Sequence, residues 1–169
     1  MHAELLVLRV IHVVGGIIWV GGGVLMGLFV GPALANVGPA AGQVMGELQK
    51  RKMMVFLPIV AILTILSGLR LMMIASMSFG GGYFQTGPGK TFAAAATAGL
   101  LAFLVGITVN LPTMKKMAKL NQEMAANPST RDASSAELKK LQARIGMAGY
   151  AVLALLLLAA IGMAVARYM

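Results

Sequence analysis

Long apolar stretches alternate with short polar connections along this chain. A membrane-crossing helix needs about 20 mostly apolar residues, and four stretches reach that length: about residues 5–35, 53–77, 91–113 and 145–166. The pattern predicts an all-α fold, an integral membrane four-helix bundle forming one four-span domain over residues 1–169. The first stretch has no basic leader and far exceeds the ~7–15-residue apolar core of a signal peptide, so it is expected to be retained.

The third connection carries its own pattern. Met114, Met117, Asn121 and Met124 recur at helical spacing with lysines beside them, so the third helix is predicted to run on past the membrane. Asn127-Pro128-Ser129 is expected to break it. Ser134-Ser135-Ala136-Glu137 reads as a capping box that starts the last helix. From Ser135 to Ala166 that helix is ~48 Å long at 1.5 Å per residue, more than a bilayer thickness. A cytoplasmic helical extension between helices 3 and 4 follows.

Composition sharpens the picture. The chain is 59% hydrophobic and 11% charged, against about 25% charged in soluble domains, which excludes an ordinary soluble enzyme. Cysteine is absent, excluding disulfides, thiolate zinc sites and cysteine nucleophiles. His2 and His12 are the only histidines, too few for a histidine-built metal cage. Of the 14 basic residues, 10 lie in the first and third connections, together with 4 acids. The positive-inside rule places those connections in the cytoplasm. The predicted location is the bacterial inner membrane, multi-pass, with both termini and Gly80-Gly81-Gly82 outside. Lipid contact accounts for the inner charges, and no nucleic-acid partner is expected.

Two familiar chemistries fail. Gly87-Pro88-Gly89-Lys90-Thr91 ends like a phosphate-binding loop, but Phe84 stands where the pattern needs glycine, and no strand precedes it. It reads as a turn leading into a helix. Nothing resembles a serine triad, and no catalytic residue is assigned.

What survives is a cluster in the outer half. His12 lies ~10 Å below the outer edge of the first helix, and Arg70 ~12 Å below the same edge of the second. Arg9 is one turn above His12, and Arg167 and Lys90 lie nearer the outer mouth. Charges inside a span are costly and point to function. Glu4 is the only acid on that side, so a further anion is implied. Gly15, Gly16 and Trp19 follow His12 at i+3, i+4 and i+7, on its own face. Haem b suits this set: imidazole for the iron, Arg9 and Arg70 for the propionates, Gly15 and Gly16 as a platform, and Trp19 packing below. Met73 or Met77 is a candidate second axial ligand, as is His12 of a second copy. Gly15, Gly23, Gly27 and Gly31 form a small-residue ridge suited to close helix packing, including a homodimer face.

The segments Arg9-x-x-His12, Trp19-Val20-Gly21-Gly22 and Gly31-Pro32-Ala33-Leu34 resemble the first helix of small bacterial membrane proteins of the CopD copper-resistance type. The His-x6-Trp-x-Gly core is also similar to that of HemJ, the membrane protoporphyrinogen oxidase, and of membrane-bound urate oxidases. Asn110-Leu111-Pro112-Thr113 is a faint echo of the HemJ Asn-Glu-x-Pro segment. The resemblance covers about 30 residues and implies a four-helix bundle with a functional histidine near the outer face; in the HemJ family the equivalent of His12 is associated with haem.

The leading expectation is a haem b-binding membrane protein in electron transfer or redox sensing near the outer face. If it turns over a substrate, it is a haem-dependent membrane oxidoreductase. One alternative is CopD-type copper handling or transport, with copper on His12 and Met73 or Met77. Another is an accessory subunit of a larger respiratory or photosynthetic membrane complex.

Overall fold

A computed structural model describes residues 2–37, 40–127 and 131–169. Among these the chain is helical almost throughout, with no strand. Helix α1 spans His2–Asn36, α3 Met53–Ser78 and α4 Gly87–Ala126; the shorter α2 spans Ala40–Lys50, and α5 spans Arg131–Val165. Four helices are long and apolar enough to cross a membrane, and the chain is a multi-pass membrane protein built as an all-α bundle.

The helices pack as two close pairs, α1 on α3 and α4 on α5, joined by α1 against α5 and α3 against α4. Leu156, Leu153, Ala159, Ala95, Ala102, Val60 and Ala61 are buried between them. Within lipid there is no hydrophobic drive between apolar helices, so small residues that let backbones approach become decisive. A β-carbon on Gly162 of α5 would lie 2.8 Å from that of Ala95 on α4.

The glycine ridge of α1 is used inside the chain. A β-carbon on Gly23 would lie 3.0 Å from Leu156 Cδ1, and one on Gly27 3.4 Å from Leu153 Cδ2, both on α5. At Gly31 the near atom is Met26 O of the same helix, 2.8 Å away. Gly23 and Gly27, expected on a homodimer face, thus serve packing against α5 within the chain, while Gly31 is exposed.

Two helices contain a π turn directly before a proline. Leu25–Val30 precedes Gly31-Pro32, and Gly106–Asn110 precedes Leu111-Pro112. In each, the N–H just before the proline reaches five residues back: Gly31 to Met26 O and Leu111 to Gly106 O. A proline ring collides with the carbonyl four residues earlier; a widened turn relieves that collision without ending the helix. Both helices accordingly continue beyond their prolines.

At one end α4 runs on past the proline, and Leu111–Ala126 packs on the start of α5. Leu120 and Leu141 are buried in this hairpin, and Lys116 pairs with Glu137 at 2.5 Å. The predicted capping box is corrected here. Helix α5 has already begun at Arg131, so Ser134 and Ser135 lie within it and Glu137 is engaged by Lys116. Of the predicted break, Pro128 and Ser129 lie outside the described residues. Helix α2 is an addition; the first connection was expected only as a connection, and its helix packs on α3 and on the extension of α4.

At the other end, Gly80 and Gly81 turn the chain with φ of 57° and 86°. Thr86 caps α4: its Oγ1 accepts from Gly89 N at 3.1 Å and donates to Tyr83 O at 2.6 Å. A β-carbon on Gly89 would sit on the Tyr83 carbonyl, so this cap requires glycine.

Candidate functional site

The site is built where α1 meets α3. Helix α3 is apolar on most of its surface, but Thr64 and Ser67 are polar and buried. Without water they satisfy themselves locally. Thr64 Oγ1 donates to Val60 O at 2.8 Å, and the Ser67 hydroxyl is shared between Leu63 O at 2.6 Å and Thr64 O at 3.0 Å.

The Thr64 carbonyl also receives the His12 ring. His12 Nδ1 lies 2.8 Å from Thr64 O. A carbonyl oxygen has no hydrogen to give, so Nδ1 is the donor. In the neutral ring the lone pair is then on Nε2. That nitrogen has no hydrogen-bond partner among the described residues and is not sealed inside the protein.

Two glycines permit this contact. A β-carbon on Gly15 would lie 2.3 Å from Thr64 Oγ1. One on Gly68 would lie 2.5 Å from His12 Cε1 and 2.8 Å from Nδ1. Gly15 thus admits α3 against α1, and Gly68 admits the imidazole against α3. Gly15, expected with Gly16 as a platform for a macrocycle, is buried against Thr64, whereas Gly16 is half-buried, with Thr64 Cγ2 3.9 Å from a β-carbon built on it.

His12, Gly15, Gly16 and Trp19 do share a face, but that face meets two different helices. Trp19 leaves the histidine and stands edge-on to Phe103 of α4, with ring centres 6.4 Å apart and planes at 85°.

Arg70 is already partnered. Its Nε and Nη2 donate to Glu4 Oε1 at 3.0 and 2.7 Å. Because α1 starts at His2, Glu4 is ordered two turns above His12 and reaches α3. The expectation of a further anion for Arg70 is corrected to this extent. The pair is roughly half-exposed, at 47% and 42%, and lines a groove with Leu5, Ile74, Met77 and Ser78. Arg9 is exposed on α1 and has no ion pair among the described residues.

Met73 and Met77 are both exposed, at 56% and 75%. Counted from Gly68, against which the ring lies, they fall about 140° and about 180° around α3. Met77 lines the groove beside Glu4 and Arg70. Among the described residues no three of His, Cys, Asp and Glu form a metal-holding group.

Sequence reasoning missed Thr64, Ser67 and Gly68. Their signal is present: Ala61, Thr64, Ser67 and Gly68 are small residues recurring at helical spacing within an apolar span.

Comparison of the chain with family models, with curated proteins and with solved structures gives no match.

Proposed function

We propose that this chain binds haem b through His12 and works in electron transfer or redox sensing. The observation that carries the reading is the hydrogen bond from His12 Nδ1 to Thr64 O. Imidazoles that ligate metals commonly donate their other N–H to a carbonyl or carboxylate, which fixes the tautomer and raises ligand basicity. His12 has that arrangement, with Nε2 left as the ligating atom.

The donor chemistry of the surrounding residues fits haem better than a small ion. Haem iron accepts a single protein imidazole, whereas a bare ion needs several donors. The copper reading adds Met73 or Met77 to His12, and both thioethers are exposed. Arg9 offers an unpaired cation for a propionate. Arg70 spends two of its five N–H groups on Glu4, leaving three for the same purpose. When bound, haem supplies a one-electron couple. The chain's part is to hold the imidazole by Thr64 and to place cations one turn above it. A second axial position is left open or met by His12 of another copy. With the basic hairpin on the cytoplasmic side of a bacterial inner membrane, His12 belongs to the outer half.

The test is the absorption spectrum of protein expressed with ample haem. A Soret band in the native chain, lost or strongly reduced in His12→Ala, is expected. No Soret band, or an unchanged one in the variant, overturns the assignment. Purification as a lone haem-bearing species would also count against an accessory-subunit role.

A further inference from the structure

A second cavity lies toward the hairpin end of the bundle. It has a volume of about 200 Å³ and is separated from His12 by about 10 Å along α1, the rise from His12 to Trp19. Trp19, Phe103, Met26, Met114, Gly106 and Asn110 are among its lining residues. It is thus apolar and aromatic, with adaptable methionines and one carboxamide.

That carboxamide is unusual. Asn110 Oδ1 is buried and has no hydrogen-bond partner, alone in this respect among the described side chains. An orphaned buried acceptor is costly, because it gives up its bond to water and gains none in return. Asn110 closes the π turn Gly106–Asn110, and π turns often mark functional positions. The opposite wall includes Met26, from the π turn of α1. A β-carbon on Gly106, which also lines the cavity, would meet nothing within 4 Å.

We propose that this cavity binds the ring of a membrane-soluble quinone and its quinol. The volume is below the ~300 Å³ at which drug-sized pockets begin, enough for one substituted ring. The ligand must arrive through lipid, since four apolar helices form the walls. The amide chooses the ring chemistry. Rotation about its terminal torsion presents either Nδ2–H or Oδ1. The first donates to a quinone carbonyl and the second accepts from a quinol hydroxyl, so one residue holds both redox forms. Trp19 and Phe103 supply the aromatic wall.

Trp19 is the chain's single tryptophan, so its fluorescence reports on this cavity directly. Decylubiquinone titrated into the full chain in detergent is expected to quench Trp19 saturably. Asn110→Leu should weaken the midpoint roughly tenfold, the worth of one buried hydrogen bond. Gly106→Leu, which adds a side chain to the cavity lining, should abolish the saturable component while circular dichroism stays unchanged. His12→Ala should leave it intact, which separates this site from the haem reading. Linear quenching in the native chain, or saturable quenching unchanged in both cavity variants, overturns the proposal. Equal competition by decylbenzene, which lacks the carbonyls, overturns the quinone assignment.

Discussion

The imidazole of His12 on α1 and the main-chain carbonyl of Thr64 on α3 are joined by a 2.8 Å hydrogen bond in which the ring is the donor. The contact links two helices 52 residues apart in sequence and settles which ring nitrogen is available. It exists because Gly68 leaves room for the ring.

Gly68→Ala therefore acts through His12. The new methyl would stand 2.5 Å from Cε1, so the ring must turn and the bond to Thr64 O is lost. Losing such a supporting partner costs roughly 10–100-fold in metal affinity. Haem titration of the variant should show a weakening in that range; retention of native affinity would mean that the carbonyl does not position the ring.

Gly15→Ala tests the helix contact itself. Its methyl would lie 2.3 Å from Thr64 Oγ1, and overpacking of this kind costs about 1–3 kcal/mol. Adding Thr64→Ala removes the obstructing hydroxyl and should recover most of the loss. Denaturation in detergent, followed by circular dichroism, reads both variants. A single variant as stable as the native chain would contradict the packing of α1 on α3.

Glu4→Gln removes the carboxylate from Arg70. With both partners roughly half-exposed, the loss in stability should stay within ~1 kcal/mol and shrink further in high salt. A loss of several kcal/mol would show that the pair is shielded from solvent in the membrane.

Tyr83 gives a pH dependence outside the spans. Burial pushes its phenol above the ordinary value, so the folded chain favours the protonated ring. The corresponding stability is present below the usual pKa of ~10 and is lost as pH rises through the raised value. The melting temperature should fall in that alkaline window, and Tyr83→Phe should flatten the fall. An identical decline in the variant would exclude Tyr83 as its source.

The four spans are legible because apolar length alone decides whether a segment can cross a bilayer. The continuation of α4 is legible from the spacing of Met114, Met117 and Met124. The common face of His12, Gly15, Gly16 and Trp19 follows from helical periodicity. What covers that face does not, because a single helix's pattern says nothing about which neighbour arrives. Thr64 therefore occupies the place that glycines alone suggest is vacant. Glu4 is visible as an acid, but its reach to Arg70 depends on how α1 and α3 cross. Pro32 and Pro112 are plain in the sequence; the π turns that accommodate them arise from keeping both ends of each helix packed.

Those π turns also act as phase adjusters. Each holds one residue more than an α-helical turn of the same rise, and each residue turns the helix by about 100°. Removing one residue from Gly106–Asn110 would rotate everything beyond it relative to the span. Thr113 and Leu120, buried against their neighbours, would swing outward, while Ala95 and Ala102 stayed in place. The membrane part of α4 and its hairpin part are thus set to separate angular registers by one surplus residue, so each half can turn its own buried residues inward without compromise by the other.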